Sequence, residues 1–375
     1  MPHNDVDVLV IGAGQAGLAA GFYLHRLARD ARTGREAAAP SYALLDANAH
    51  AGGSWQDYWD TLELFSPAEY SSLPGYRMPG WAGPGNPSAR HVAEYLRTYE
   101  ERYGLPVHRP VRVVAVRYDD GGFATETDAG TWTSRVVINA TGSWSKPHVP
   151  DLPGAAAFTG RQLHTAGYRS RTEFAGDRVI VVGGGNSAAQ IAADLLPSAA
   201  SVTWAALRPP RFLPDHIDGR ALFQVANRHV RALAKGEPSP GGVGSLGDIV
   251  AVPSVREARD RGLLEAEPMF TALTPTGVRW DDGRELEADA IIWCTGFSPG
   301  LDHLHPLALA TNGCSPATDP GLPTRSAERP GLFFLGYGDW CGPASATLVG
   351  VGPFARDTVA AAARHALDTA PTRHP

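Results

Sequence analysis

Cysteine is scarce in this sequence, which has Cys294, Cys314 and Cys341 among its 375 residues. The three are an odd number, they are widely separated, and no two of them form a Cys-x-x-Cys pair. The sequence therefore indicates neither a disulfide framework, nor a thiolate metal site, nor a redox dithiol. We expect a protein of a reducing compartment, with no bound metal.

Long apolar runs and blocks of like charge are also missing. No uncharged apolar stretch is long enough to cross a bilayer, and 33 basic and 39 acidic residues give a net charge of −6 without a sustained run of either sign. We therefore expect no nucleic-acid partner and no membrane partner. Asp5 and Asp7 stand where a targeting segment would be basic and apolar, so the expected location is the cytoplasm.

What the sequence does contain is enough apolar side chain, 43% of its residues, for a core divided between two domains. A β-rich run ends at Ile11 and leads into a glycine-rich turn of spacing GxGxxG. In a strand, turn and helix unit Gly12 permits the tight turn, Gly14 lets the backbone approach a pyrophosphate, and Gly17 lets the helix pack closely on the strand. The Ala/Leu-rich stretch that follows, Ala16 to Arg29, has the apolar spacing of that helix.

An acidic residue completes this first unit. Asp46 ends the next β-rich run, Tyr42 to Leu45, where a carboxylate can accept hydrogen bonds from ribose hydroxyls. The alternative is a glycine turn that serves packing alone. Strand, turn, helix and acid together favour a bound dinucleotide.

A second glycine-rich turn follows the run that begins at Val179. It reads Gly183-Gly-Gly185-Asn186-Ser187-Ala188, and the fingerprint tolerates alanine at its third position. The next predicted strand, Ser201 to Arg208, ends without an acid, and Arg208 could pair with the 2′-phosphate of NADP. NADPH is therefore the predicted cofactor and NADH stays open, as does a merely solvated Arg208.

The remaining segments suggest how the two units are joined. Residues 52–87 are rich in Gly, Pro, Ser and aromatics, Ser88 to Tyr103 has an apolar face, and three alternating runs between residues 111 and 138 predict a β-meander. A second meander is predicted from Gly277 to Trp293, followed by a C-terminal helix. The fold class is α/β, with two Rossmann-type dinucleotide-binding domains, the second inserted in the first. Two such sites on one chain imply hydride transfer from a nicotinamide to a flavin.

A longer motif precedes the second turn. Residues 158–169 read Phe-Thr-Gly-Arg-Gln-Leu-His-Thr-Ala-Gly-Tyr-Arg and match the signature FxGxxxHxxxYR. Through this motif the sequence resembles the class B flavin-containing monooxygenases, most closely a short bacterial branch that includes enzymes encoded beside arsenic-resistance genes. The resemblance covers nearly the whole chain. His164 and Tyr168 could equally pack as a hinge between the domains.

Four further segments carry the resemblance. They are Gly52-Gly53-Ser54-Trp55, the segment from Ala140 to Pro147, Cys294-Thr295-Gly296-Phe297, and Gly336-Tyr-Gly338-Asp339 before the segment from Ala344 to Val351. The resemblance implies an FAD domain of residues 1–147 and 296–375 and an NAD(P)H domain of residues 148–295. Asp339 alone is also typical of a turn or cap residue, and an aromatic beside glycines, such as Trp55, could belong to the core.

The predicted cofactor contacts follow from the turns and the resemblance. FAD is assigned to Gly12, Ala13, Gly14, Gln15, Ala16, Gly17, Asp46, Gly53, Ser54, Trp55, Val113, Ala140, Thr141, Gly142, Asp339 and Thr347. NAD(P)H is assigned to His164, Gly183, Gly185, Asn186, Ser187, Ala188, Arg208, Thr295 and Gly296.

The implied function is an FAD-dependent, NAD(P)H-consuming monooxygenase that oxygenates a soft heteroatom (S, N or As) of a small molecule with O₂, through a C4a-hydroperoxyflavin. No catalytic side chain is predicted, because the flavin carries the oxygen chemistry. Pro67 stands in the region where many relatives carry an asparagine that helps hold the oxygenated flavin. The aromatic loop from Trp55 to Trp81 is the predicted substrate wall, and Arg211 to Val230, with Asp215 and His216, forms either a lid or a polar hairpin.

Alternatives are a flavoprotein reductase or oxidase without oxygen insertion, a Baeyer–Villiger oxygenase, and a flavin-bound redox sensor. A homodimer is the family expectation.

Overall fold

The computed structural model describes residues 4–215, 221, 248–313 and 315–370. The described helices are α1 Gln15–Arg32, α2 Ala89–Tyr103, α3 Asn186–Leu195, α4 Pro253–Asp260 and α5 Val351–Asp368. The bounds of α2 follow directly from the sequence. The Ser88 hydroxyl accepts a hydrogen bond from the His91 N–H at its start, and Gly104 at φ +52° ends it.

In the described part of the chain the strands form two larger sheets and two small ones. In chain order they are β1 Asn4–Ile11, β2 Tyr42–Leu45, β3 Val107–His108, β4 Val113–Asp119, β5 Gly122–Thr127, β6 Gly130–Asn139, β7 Arg161–His164, β8 Arg178–Val182, β9 Ser201–Ala206, β10 Ala266–Pro268, β11 Ala272–Thr274, β12 Gly277–Arg279, β13 Glu285–Glu287, β14 Ala290–Trp293, β15 Thr311–Asn312, β16 Ser315–Pro316, β17 Thr318–Asp319, β18 Leu322–Ser326 and β19 Leu332–Phe334.

The first sheet has the order β17-β18-β19-β6-β1-β2-β3. Strands β1, β2, β3, β6 and β19 are parallel, and β4 and β5 form an antiparallel extension on β6. The predicted first meander is therefore confirmed. Its last strand, β6, also lies beside β1 in the centre of the parallel sheet, so the meander and the first nucleotide unit share one strand.

The second sheet is fully parallel, in the order β10-β9-β8-β14-β7. The predicted second meander is wrong in its last part. Strands β12 and β13 pair with β11 in an antiparallel sheet, but β14 lies between β8 and β7. The sequence of β14, Ala-Ile-Ile-Trp, is buried along its whole length, as is usual for a parallel strand covered on both faces. The parallel core of the first sheet and the fully parallel second sheet confirm the two-domain Rossmann-type class.

The chain passes from one sheet to the other through two neighbouring segments. The first crossing is residues 140–147, and the second crossing is residues 294–297. They meet in a bridge between Pro147 and Phe297, and the His148 N–H donates to the Gly296 carbonyl at 3.0 Å. The two crossings therefore form a double connection beside the ends of both parallel sheets.

The irregular segment 52–87 ties the two halves together. Trp59 and Leu62 are buried in the core that covers α3 and the second sheet, where Trp59 contacts Tyr168 edge to face. The side chain of Gln190, in α3, exchanges two hydrogen bonds of 3.3 Å with the backbone N–H and C=O of Glu63. Within the described ranges, no helix is long and apolar enough to cross a bilayer.

Candidate cofactor site

The first glycine-rich turn packs as tightly as its spacing predicts. Gly12 has φ +98°, and a Cβ there would lie 2.5 Å from the Ala140 carbonyl oxygen. A Cβ on Gly17 would lie 1.8 Å from the Gly12 carbonyl oxygen. Gly14 begins α1 without a side-chain cap. The first N–H groups of α1 are thus left for an anion, which suits a pyrophosphate.

A cavity of about 440 Å³ opens at this turn, and we call it the cofactor cavity. Most of the residues assigned to FAD line it: Gly12, Ala13, Gly14, Gln15, Ala16, Asp46, Gly53, Ser54, Trp55, Val113, Ala140, Thr141 and Gly142. Residues that the sequence analysis left unassigned line it as well, among them Asn48, Asp57, Tyr58, Arg112, Trp144, Phe297, Gly300 and His303.

One glutamine joins three sides of this cavity. The Trp55 indole N–H donates to Oε1 of Gln15 at 2.9 Å, and Nε2 of Gln15 donates to the Ala346 carbonyl at 2.5 Å. The glycine-rich turn, the Gly-Gly-Ser-Trp segment and the loop before α5 are therefore held by a single amide.

Three assigned residues do not line the cofactor cavity. Gly17 lies behind it, in the contact between helix and strand. Asp339 is an exposed residue at the start of a 3₁₀ turn. The Thr347 hydroxyl donates to the Ala344 carbonyl at 2.8 Å and accepts from the Gly350 N–H at 3.0 Å, within its own loop. Contact of Asp339 and Thr347 with FAD remains a prediction.

Aromatic side chains lie where the cofactor cavity approaches the crossings, and three of them, Tyr58, Trp144 and Phe297, line the cavity. Tyr58 lies 4.5 Å from Trp144, Trp144 stacks on Phe297 at 5.2 Å, and Phe297 meets His164 edge to face at 4.7 Å, all between ring centroids. We call these four residues the aromatic junction. Burial raises the pKa of Tyr58 to about 12, so its hydroxyl stays protonated at neutral pH.

Only part of the predicted substrate wall lies here. Trp55 and Tyr58 line the cofactor cavity, whereas Trp59 is a core residue and Trp81 packs against His91 of α2. Trp144 and Phe297 also line the cavity. Each stands one or two residues after a Thr-Gly pair at a crossing, and that shared position is the signal by which the sequence could have identified them.

His164 uses both ring nitrogens within the chain. Nδ1 accepts a hydrogen bond from the Ala166 N–H at 3.1 Å, so Nε2 carries the proton and donates to the Gly296 carbonyl at 2.9 Å. Burial lowers the pKa of His164 and favours the neutral ring. His164 of the signature therefore holds the second crossing through Gly296. Tyr168 of the signature is fully buried, and its hydroxyl donates a hydrogen bond to Asp194 at 2.6 Å.

A buried polar network lies at another wall of the cofactor cavity. His303 bonds to Oδ1 of Asn139 at 2.8 Å, and Nδ2 of Asn139 donates to the Tyr337 hydroxyl at 2.7 Å. That hydroxyl contacts Oγ1 of Thr141 at 2.7 Å, and Thr141 donates to the Gly300 carbonyl at 2.8 Å. Burial lowers the pKa of His303 to about 4, so the ring is neutral at physiological pH.

The second glycine-rich turn lies outside the cofactor cavity. Gly183 has φ +142°, and a Cβ there would lie 2.3 Å from the Cys294 carbonyl oxygen, at the second crossing. Gly185 begins α3 without a side-chain cap, and a Cβ there would meet no atom within 4 Å. The turn thus has open space before a helix N-terminus, which fits a dinucleotide phosphate.

The other residues assigned to NAD(P)H have mixed surroundings. Ala188 is buried in α3, whereas the Asn186 side chain accepts from the Val250 N–H at 2.8 Å. Thr295 donates to the His148 carbonyl. Arg208 is exposed, and its carbonyl oxygen lies 4.0 Å from where a Gly184 Cβ would be. Ser187 is partly buried. The backbone of Arg208 therefore lies beside the turn, and the contact of its side chain with a phosphate remains a prediction.

Two other sequence predictions concern neighbouring segments. The Pro67 carbonyl accepts hydrogen bonds from the Tyr70 N–H and the Ser71 hydroxyl, and Pro67 does not line the cofactor cavity. His216 and most of the segment from Arg211 to Val230 lie outside the described residues. Of that segment, Arg211 pairs with Asp248 and Asp215 pairs with Arg259.

Comparison with known proteins decides the family. The model of the pyridine nucleotide-disulphide oxidoreductase family matches residues 9–214, more than half of the chain. A flavin-containing monooxygenase from Stenotrophomonas maltophilia has 42% sequence identity and a TM-score of 0.84, over 98% of this chain and all of that one. The chain belongs to the flavin-containing monooxygenase family.

Other relatives agree. The oxidoreductase CzcO of Bacillus velezensis, itself uncharacterized, is 30% identical over 79% of this chain and 82% of its own. The probable indole-3-pyruvate monooxygenase YUCCA4 of Arabidopsis thaliana is 25% identical over 88% of this chain and 84% of its own. The chain is thus a flavin-dependent oxidoreductase of the monooxygenase type that uses a flavin and a nicotinamide cofactor, and this confirms the resemblance noted in its motifs.

Proposed function

We propose that the protein holds FAD in the cofactor cavity, consumes NADPH, and inserts one oxygen atom of O₂ into a soft heteroatom (S, N or As) of a small molecule. The observation that carries this proposal is one continuous arrangement. The cavity starts at the uncapped N-terminus of α1 and extends to Trp144 and Phe297 of the aromatic junction. Phe297 belongs to the second crossing, whose Cys294 carbonyl oxygen lies 2.3 Å from where a Cβ on Gly183, in the second glycine-rich turn, would be.

The protein's own contribution is to bind and orient. The N-terminus of α1 and Asp46 suit the pyrophosphate and ribose of FAD, and the N-terminus of α3 with Arg208 suits NADPH. We accordingly propose the division into an FAD domain of residues 1–147 and 296–375 and an NADPH domain of residues 148–295. It agrees with the two crossings at which the chain changes sheets.

A bound flavin would supply the hydride acceptor for the nicotinamide and the site of O₂ activation. The side chains at that end of the cavity are Tyr58, Trp144 and Phe297, which can exclude water from the reacting atoms. Among the described residues, the lining of the cofactor cavity contains no cysteine, and burial raises the pKa of the nearby Cys294 thiol to about 12. These features favour oxygenation over exchange with a disulfide, which needs a thiolate.

The test is turnover of NADPH under ¹⁸O₂ with three separate substrates: methyl phenyl sulfide, N,N-dimethylaniline and arsenite. One ¹⁸O atom in a sulfoxide, an N-oxide or arsenate supports the proposal and identifies the heteroatom. If the amount of hydrogen peroxide equals the amount of NADPH consumed and no labelled product forms, the protein is a reductase or oxidase and the proposal is wrong. An ¹⁸O-labelled ester from a ketone added to the same assay would assign a Baeyer–Villiger oxygenase.

A further inference from the structure

The carboxylate of Asp46 is fixed from two sides. Asp46 is 5% exposed at the end of β2, on the wall of the cofactor cavity. Its Oδ1 accepts a hydrogen bond from the Asn48 N–H at 3.0 Å, and its Oδ2 accepts one from Nη2 of Arg109 at 3.3 Å. Because the two oxygens have different partners, the carboxylate cannot rotate freely.

Arg109 binds a second carboxylate more closely. Its Nη2 donates to Oε2 of Glu100, in α2, at 2.8 Å, and its Nη1 pairs with Oε1 of the same residue. The side chains of Arg109, Asp46 and Glu100 are 13%, 6% and 15% exposed. Burial alone would lower the pKa of Arg109, but the hydrogen bonds and charge of Glu100 raise it above its ordinary value, so the cation persists.

The planar fork of an arginine is what this arrangement requires. One guanidinium has five N–H donors in fixed directions and can bridge two carboxylates, whereas a lysine is a compact point charge. The bidentate contact goes to Glu100, and a single longer bond goes to Asp46. An ionised carboxylate can accept about four hydrogen bonds, and the chain uses two of those of Asp46. The others are left for a ligand.

We propose that Arg109 is a positioning residue for the adenosine half of FAD. It holds Asp46 in the orientation in which the carboxylate accepts hydrogen bonds from the ribose hydroxyls, as an acid at the end of the second strand does in dinucleotide-binding folds. The inference rests on the assignment of FAD in the proposed function. It adds that recognition of the adenosine ribose depends on Arg109, which contacts Asp46 on one side and Glu100 of α2 on the other.

The inference predicts different effects on the binding of FAD and FMN, two flavins that share one ring system. FAD carries the adenosine that Asp46 would bind, and FMN does not. Loss of Arg109 must therefore weaken FAD and leave FMN unchanged, whereas a purely structural role would weaken both alike. The ratio of the Kd for FMN to the Kd for FAD therefore distinguishes a positioning role from general destabilisation.

The experiment is titration of the apoprotein with FAD and, separately, with FMN, followed by flavin fluorescence. For Arg109→Lys we expect the Kd of FAD to rise about tenfold while the Kd of FMN stays within about twofold, because one charge-assisted contact to Asp46 is lost. Arg97→Lys is the matched control, since Arg97 bridges Glu94 and Glu101 on the exposed face of α2. It should change neither constant.

If Arg109→Lys does not fold, the double variant Arg109→Met, Glu100→Met takes its place, because it leaves no unpaired buried Glu100. Equal rises for FAD and FMN, or no change in either, would overturn the inference. An unsubstituted protein that binds FMN as tightly as FAD would overturn both the inference and the FAD assignment. Preserved FAD selectivity without any oxygenated product would overturn only the proposed reaction.

Discussion

His303 donates a hydrogen bond from Nε2 to Oδ1 of Asn139 across 2.8 Å, although 164 positions separate the two residues in the chain. The direction follows from the asparagine, whose Nδ2 is already the donor to Tyr337. In the described part of the chain Nδ1 of His303 has no hydrogen-bond partner, and His303 lines the cofactor cavity. The neutral ring thus joins β6 to the segment after the second crossing.

Titration of His303 makes stability depend on pH. Its pKa is about 4 in the folded chain, below the ordinary 6.5. As the pH falls below about 6.5, His303 becomes protonated in the unfolded chain but stays neutral in the folded chain. The free energy of unfolding therefore declines until about pH 4, by roughly 3 kcal/mol in total. In the apoprotein, His303→Gln should therefore show a smaller fall in Tm between pH 7 and pH 5 than the unsubstituted protein. His50→Gln, at an exposed position, should match the unsubstituted protein, and an equal fall in all three would contradict the assignment.

Gly185 tests the second dinucleotide site without disturbing the fold. A Cβ there meets no atom within 4 Å in the protein, so Gly185→Ala should keep its Tm and its flavin content. The added methyl would stand where the phosphates of NADPH approach the backbone, and we expect the KM for NADPH to rise about tenfold as contacts to the anion are lost. Gly184→Ala, whose Cβ would have ordinary contacts at 3.9 and 4.0 Å, is the control. Unchanged KM in Gly185→Ala would place the dinucleotide elsewhere.

Arg208 tests the choice of nicotinamide cofactor. Arg208→Ala removes the charge proposed to pair with the 2′-phosphate, so the KM for NADPH should rise about tenfold, with the KM for NADH within about twofold of its original value. Steady-state kinetics with both cofactors measures this. Arg90→Ala, at an exposed position in the first turn of α2, should affect neither. An equal rise in the KM for NADH and the KM for NADPH would show that Arg208 does not contact the 2′-phosphate.

Trp144 tests the aromatic junction. Trp144→Ala opens the wall between Tyr58 and Phe297 to water, so the fraction of consumed NADPH that ends as hydrogen peroxide should rise at least about twofold. Trp144→Phe keeps a ring in the stack and should stay close to the unsubstituted protein. Peroxide release and NADPH consumption are measured together under air. If Trp144→Ala leaves the ratio unchanged, the junction does not shield the reacting atoms.

Local geometry decided which parts of the site could be predicted. Gly17 is required by its contact with the nearby Gly12, so the spacing of the two glycines alone indicated the turn. The close contact of Gly12 with Ala140 comes from the tertiary fold. His303 meets Asn139, and Tyr58 meets Trp144, only through the tertiary fold, and nothing in their immediate neighbours in the sequence marks them. A short apolar run such as β14 has no periodicity that separates a buried parallel strand from an antiparallel one, so the sequence alone predicts a meander there.

The burial of Trp59 and Leu62 under α3 has a consequence for how this protein can be altered. These side chains belong in sequence to the first Rossmann unit but fill the interior of the second. Cutting out the inserted unit would leave two large apolar side chains facing water, and the excised piece would carry a matching hole. The second Rossmann unit therefore cannot be exchanged by itself. A chimera that replaces it must also replace segment 52–87.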